Sequence, residues 1–198
     1  MHLSKAVILS GGPGAGKTTL LHALRQAGFP VVPEAGRAII RAQQQQGGRA
    51  VPWADRQAFA REMLRQDSAH YAANGGSEGW VFFDRGIPDI RGYCRVAEIE
   101  EPQTLSDCIA RCRYYHTVFL APPWPAIYAR DAERKQDFAT AVATFEQMHR
   151  VYRECGYRTL LLPCCEVEGR RDFVLRALAF GGGTASHQDT GGTPSAGL

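Results

Sequence analysis

No stretch of this sequence approaches the ~20 consecutive apolar residues that a membrane-crossing helix requires, so no membrane span is expected. Net charge is scarce too: 23 Lys and Arg against 20 Asp and Glu leave +3. That is too little to mark a nucleic-acid or anionic-membrane binder, and no contiguous basic block stands out. Six cysteines are present, but no pair has the C-x-x-C spacing. Cys108 and Cys112 are four apart, Cys164 and Cys165 are adjacent, and no histidine pair at ligand spacing accompanies them. The usual zinc and disulfide frameworks are thereby excluded, leaving reduced thiols that fill space as small apolar groups. The guanine-reading N-K-x-D is missing, and Asp89-Ile90-Arg91-Gly92, which spells D-x-x-G, lies several residues past the strand end where a switch would start. There is no internal repeat. The first strand begins so early that it leaves no room for a secretory signal, and nothing after the fifth strand is long enough for a second, helical lid domain. A cytoplasmic protein is the expectation.

What is present is decisive. Gly11-Gly12-Pro13-Gly14-Ala15-Gly16-Lys17-Thr18-Thr19 fits G-x-x-x-x-G-K-[ST], the loop whose backbone N–H groups cradle phosphates. Its surroundings fit as well. The apolar run at 5–10 reads as a buried parallel strand, and Leu20, Leu21 and Leu24 recur at helical spacing up to Gly28. Strand, glycine loop and helix thus stand in the order a polyphosphate site needs. In this pattern Lys17 reaches the β- and γ-phosphates and the Thr18 hydroxyl ligates Mg²⁺.

A chain of 198 residues, 44% hydrophobic and 22% charged, suffices for one α/β domain with a real core. Strands are predicted at 5–10, 29–32, 80–83, 117–121 and 158–162. Helices are predicted after the loop, at 35–46, from Pro52-Trp53-Ala54-Asp55 to Asn74, around 89–97 and 104–113, at 138–154 and at 171–180. The third of these carries the apolar stripe Phe59, Met63, Leu64 and Tyr71. Alternation of five strands with helices predicts a parallel sheet covered on both faces, with ligands beyond the carboxyl ends of its strands. The domain is expected to span 1–180. The segment 181–198, nearly all Gly, Ser, Thr, Ala and polar residues, is expected to be a disordered tail.

Three strand ends carry polar groups that such a sheet would bring to one edge: the glycine loop, Glu34 with Arg37, and Asp84 with Arg85. Phosphoryl chemistry needs carboxylates for the metal and the acceptor, and cations for the migrating group. Asp84, directly after Val81-Phe82-Phe83, is the candidate metal-side carboxylate, with a helix N-cap as its alternative role. Arg85 is a candidate for acceptor or phosphate oxygens. Glu34 is placed to accept a proton from an acceptor hydroxyl; alternatively it is a first-turn residue paired with Arg37. Arg130, Arg134 and Lys135 follow the fourth strand in a charged segment that reads as a lid closing over the triphosphate, with Arg134 the preferred cation, or as a solvated, salt-bridged helix face. Trp53, Trp124 and Tyr128 suit packing better than stacking on a base.

Taken together, Ile8-Leu9-Ser10 through Thr18, Val32-Pro33-Glu34-Ala35-Gly36-Arg37, Phe83-Asp84-Arg85-Gly86-Ile87-Pro88-Asp89, and Val118-Phe119-Leu120 through Asp131-Ala132-Glu133-Arg134 resemble the AAA_28, or predicted ATPase, group of P-loop proteins. That group is similar to the ribosylnicotinamide kinase domain of bacterial NAD regulators and, more distantly, to nucleoside and nucleotide kinases. The resemblance covers about 5–180. It implies a kinase-like, three-layer P-loop NTPase fold with a five-stranded parallel sheet in the order 2-3-1-4-5. Carried over residue by residue, it puts residues 11–19 on the phosphates and Glu34 near the acceptor hydroxyl. Asp84 and Arg85 match the D-R pair after strand three, and Arg134 matches a lid arginine. Glu34, Arg37 and Arg85 are the expected acceptor-binding residues, and Thr18 and Asp84 the expected metal ligands.

The function expected is Mg²⁺-dependent phosphoryl transfer from ATP, with GTP left open, to a small nucleoside-like acceptor. A nucleotide-dependent ATPase or GTPase switch, or a regulatory nucleotide binder, is the alternative. No nucleic-acid partner is expected, and the oligomeric state stays open.

Overall fold

Side chains alternate between the two faces of a strand, and β1 (Ala6–Gly11) shows what that does here. Every residue of the strand is buried, with Ala6 and Ile8 in one core and Val7 and Leu9 in another. The structure is a computed structural model that describes residues 4–128 and 138–181. β2 (Val31–Val32), β3 (Val81–Asp84), β4 (Thr117–Ala121) and β5 (Arg158–Leu161) complete one sheet in the order β2-β3-β1-β4-β5. All four pairings are parallel. The implied kinase-like strand order is therefore the order observed.

The helices in chain order are α1 (Lys17–Gln26), α2 (Ala35–Gln46), α3 (Arg56–Asn74), α4 (Ile87–Ala97), α5 (Leu105–Arg111), α6 (Pro125–Tyr128), α7 (Phe138–Glu154) and α8 (Val167–Gly181). Leu20, Leu21 and Leu24 of α1 and Val174 and Leu178 of α8 pack with Val7, Leu9, Phe82 and Phe119. The opposite core joins Ile8, Phe83 and Val118 to Leu64 of α3, Ile90 of α4, Leu105 of α5 and Tyr152 of α7. Burying a side chain the size of Ile8 or Phe82 stabilises by about 1.5–3 kcal/mol, so both faces of the sheet hold the fold together. A smaller cluster of Ala35, Ile39 and Phe59 seats α2 on α3.

Two boundaries differ from expectation for readable reasons. β2 is shorter than predicted because Pro30 has no N–H to give; its carbonyl still accepts from the Phe82 N–H at 3.0 Å. α4 begins at Ile87 rather than near Asp89, with Pro88 in the first turn, where a missing N–H costs nothing. α8 likewise starts at Val167, earlier than 171, and runs through Gly181. The remainder of the predicted tail lies outside the described residues. Among the described residues, no helix is long and apolar enough to cross a membrane.

Candidate active site

Register sets the site. Leu9 of β1 lies beside Asp84 of β3, and Gly11 beside Ala121 of β4, so the carboxyl ends of the three central strands are level. At Gly11 φ is 128°, and a Cβ there would run into the Ala121 carbonyl oxygen, so only glycine lets the loop leave the strand. Gly16, with φ 74° and ψ 19°, is the N-cap of α1 and caps nothing with a side chain. The first-turn N–H groups of α1 are thus left for an anion.

Lys17 begins α1 and is 8% exposed. Its Nζ donates to the carbonyl oxygens of Gly11 at 3.2 Å and Gly12 at 2.7 Å, so the ammonium lies back across its own loop. Burial, aided by the Arg85 charge, lowers its pKa to about 7 despite Asp84, Glu34 and Asp89 nearby. Thr18 and Thr19 are exposed, and Thr18 shares a cleft of about 330 Å³ with Glu34 and Asp84.

Glu34 is the N-cap of α2 without a side-chain capping bond. Its carboxylate instead faces two arginines: Oε1 is 3.3 Å from Arg85 Nε, and Oε2 is 3.3 Å from Arg37 Nε. Burial alone would raise its pKa, but the charges of Arg85, Lys17 and Arg37 outweigh burial and hold it below the usual range. Arg37 remains largely exposed, at 63% of its side chain.

Arg85 has φ 73°, a conformation that costs an L-residue about 1–2 kcal/mol. Its N–H is tied to the Leu9 carbonyl at 3.0 Å. The turn sends the guanidinium between Glu34 and Asp89, 3.1 Å from Asp89 Oδ1. Burial would lower the guanidinium's pKa, yet Glu34, Asp89 and Asp84 raise it. Asp89, in the first turn of α4, is where the network ends. It also accepts from the Gly86 N–H at 2.9 Å and from the hydroxyls of Ser10 and Tyr152. Gly86, not Asp84, caps α4. Asp84 Oδ1 is buried with no hydrogen-bond partner among the described residues, and burial chiefly raises that carboxyl's pKa.

Beyond Glu34 a cavity of about 310 Å³ opens between α2, α3, α4 and α7. Phe59, Met63, Tyr93 and Met148 line it, with Asp67. The rings of Phe59 and Tyr93 meet edge-on with centroids 5.5 Å apart.

The structure therefore brings Lys17, Thr18, Glu34, Arg37, Asp84 and Arg85 to one edge, as the sequence predicts; Arg134 lies outside the described residues. Trp53 is 66% exposed, so it does not pack as expected, and it does not line this cavity. Sequence reasoning missed Asp89, although it falls in the quoted F-D-R-G-x-x-D block; its D-x-x-G is a helical turn, with Gly92 against Met148. Asp67 was missed as well, although it continues the Phe59–Met63 spacing of four and so stands as an acid within an apolar stripe. Arg170 was the third omission: from α8 it donates to the Ala15 carbonyl at 3.0 Å and lies over the Trp124 ring at 5.8 Å. Only the fold could join residues 155 positions apart.

Sheet order, glycine loop and strand-end groups define a P-loop NTPase fold with the kinase-like strand order. Among solved structures, the chain is similar to the NadR protein in complex with NR, with TM-score 0.67 and 19% identity over 90% of this chain. It spans only about half of that protein, 52%. It is also similar to deoxyadenosine kinase from M. mycoides, with TM-score 0.62 and 11% identity, covering 88% of this chain and 98% of that one. Thymidylate kinase from Ehrlichia chaffeensis follows at TM-score 0.61 and 12% identity, covering 88% and 97%. No curated protein matches. The AAA_28 family, described as an AAA domain, matches residues 6–170, and the chain belongs to that family.

Proposed function

We propose that this protein is a Mg²⁺-dependent kinase that transfers the γ-phosphate of ATP to a hydroxyl of a small, nucleoside-like acceptor. One observation carries the reading: Glu34 lines both the aromatic cavity and the cleft holding Thr18 and Asp84. An acceptor in the cavity would put its hydroxyl at the carboxylate that borders the phosphate site.

The glycine loop and the first turn of α1 would hold the phosphates. Lys17 would leave its two loop carbonyls for phosphate oxygens, and Arg134 would add positive charge from the segment after β4. The Thr18 hydroxyl and the unpartnered Asp84 Oδ1 suit a hard cation that takes oxygen ligands; Mg²⁺ bound there would supply charge neutralisation for the triphosphate. Glu34, fixed by Arg85, accepts the acceptor's hydroxyl proton. Because its pKa is lowered, it is a weak base that orients the hydroxyl first and takes the proton late, as a loose phosphoryl-transfer transition state allows. Arg37 is the exposed cation at the cavity rim.

The test is Mg²⁺-dependent ADP release with adenosine, cytidine, guanosine, uridine and ribosylnicotinamide, beside Glu34→Gln. Stimulation by an acceptor, reduced about 10²-fold or more in the variant, is the expected result. Tight nucleotide binding with acceptor-independent hydrolysis would refute it in favour of a regulatory nucleotide switch.

A further inference from the structure

Glu34, Arg37, Arg85 and Asp89 bring charge to the cavity beyond Glu34, but they are paired with one another. Tyr93 and Asp67, which also line it, lack such a partner among the described residues. Tyr93 Oη is buried and makes no hydrogen bond among the described residues. Asp67, on α3, has a side chain 14% exposed, and its charge contact is His70 Nδ1 on the same helix, 3.9 Å away. Burial lowers the pKa of that imidazole, so it is a poor counter-ion. Phe59 and Met63 precede Asp67 at four-residue intervals, and all three line the cavity. An acid in that row adds nothing to packing and costs desolvation, so a bound molecule is its natural partner.

We propose that Asp67, in a cavity that Tyr93 also lines, selects the acceptor by pairing with a ring edge on which an N–H donor adjoins a carbonyl or ring-nitrogen acceptor, the edge of an amide or amidine. This rests on the acceptor reading above and names the chemistry of the acceptor's ring. The groups around Asp67 explain why the carboxyl can offer both a donor and an acceptor. Asp89 from α4, Glu34 from the start of α2 and Asp84 from β3 surround it with negative charge, which Arg85 opposes. Tyr114, ahead of β4, is itself held protonated by burial, as is Tyr93. Burial first, then these carboxylates, push Asp67 up to about 8. A protonated carboxyl donates through O–H and accepts through C=O, which complements such an edge twice over. Rings bearing a carboxylate, rings without an N–H donor, and bare sugars all leave it unsatisfied.

The experiment is calorimetric binding of the acceptor ribosides to the full chain with Mg²⁺ and a non-hydrolysable ATP analogue, using purine riboside and ribose as edge-free controls. Wild type, Asp67→Asn and Asp67→Leu are compared after their melting curves establish folding. A riboside with the edge should bind roughly 10–100-fold more tightly than purine riboside, the cost of one unpaired buried partner. Asn keeps a donor beside an acceptor, so it should retain that affinity, while Leu should lose it. Wild-type binding should weaken about tenfold between pH 7 and pH 9 as the O–H is lost, and Asp67→Asn should not follow. Equal binding of purine riboside, an unaffected Leu variant, an Asn variant as weak as Leu, or no riboside bound at all would overturn the proposal. Phosphorylation of a riboside that ignores Asp67 would sink this inference alone. Asp67-dependent binding without any phosphorylation would uphold it and sink the kinase reading.

Discussion

Nucleotide binding should take up a proton at Lys17, and the uptake should grow with pH. In the free protein the ammonium is buried against two loop carbonyls, and its pKa is lowered to about 7 by burial and by Arg85. A triphosphate in the loop supplies the opposite charge that the site lacks and returns the pKa toward the ordinary value for lysine, about 10.4. Uptake per nucleotide is then about 0.1 proton at pH 6, about 0.5 at pH 7 and about 0.9 at pH 8. Calorimetric titration with the Mg²⁺ nucleotide in buffers of differing ionisation enthalpy measures this number directly. Lys17→Met, run alongside, subtracts protons released by the nucleotide's own phosphates. A stability effect accompanies it. The folded pKa lies below the unfolded one, so the charged lysine destabilises the free protein fully below pH 7. That cost shrinks as pH rises from 7 toward 10.5, and Lys17→Met should therefore raise the melting temperature more at pH 6 than at pH 9. An uptake that is flat between pH 6 and 8, or unchanged in Lys17→Met, would refute the argument.

Arg85→Ala should abolish acceptor-stimulated turnover, because it frees Glu34 and strands Asp89. Arg85→Gly should be equally inactive yet more stable than Arg85→Ala by about 1 kcal/mol, since glycine accepts the positive φ; equal denaturation midpoints would contradict the strain. Asp84→Asn should raise the Mg²⁺ needed for half-maximal nucleotide binding about tenfold or more and leave metal-free nucleotide binding unchanged. Phosphate acceptors should be poor, because Arg85 is already engaged by two carboxylates and Glu34 would oppose a second anion. A nucleoside should exceed its 5′-monophosphate in kcat/KM by about tenfold or more, and the reverse preference would contradict the reading of Glu34.

How much of this was legible in the sequence depends on the range over which each feature acts. β1, the glycine loop and α1 are local: an apolar run, a motif and a leucine repeat determine them within about twenty residues. Glu34, Asp84 and Arg85 were legible because each follows a recognisable strand, and parallel strands present their ends to one edge. Strand order was not in any local pattern and came through the family resemblance. The positive φ of Arg85 left no trace either, since an arginine gives no sign of a conformation that its neighbours impose. Asp89 required knowing that Ser10 and Tyr152, from β1 and α7, converge on it. Asp67 had a signal, one acid in a row of apolar residues at helical spacing, but an isolated charge on a helix normally points to solvent.

Two carboxyl groups in one cavity end up in opposite states, and their neighbours account for the split. Glu34 stands at the mouth, where Arg85, Arg37 and Lys17 gather, and those charges override burial to keep it anionic. Asp67 stands along α3, where burial is compounded by Asp89 and by Glu34 itself. Environments that separate the pKa values of two acids divide the work between them. The anionic one can receive a proton from a hydroxyl, and the neutral one can donate a hydrogen bond to a ring. Arg85 enforces the division: it neutralises Glu34 and Asp89 directly, at 3.3 and 3.1 Å, and is thereby unavailable to Asp67 as a close partner. A single arginine in a strained backbone conformation thus keeps Glu34 anionic, while burial and the neighbouring carboxylates hold Asp67 neutral against it.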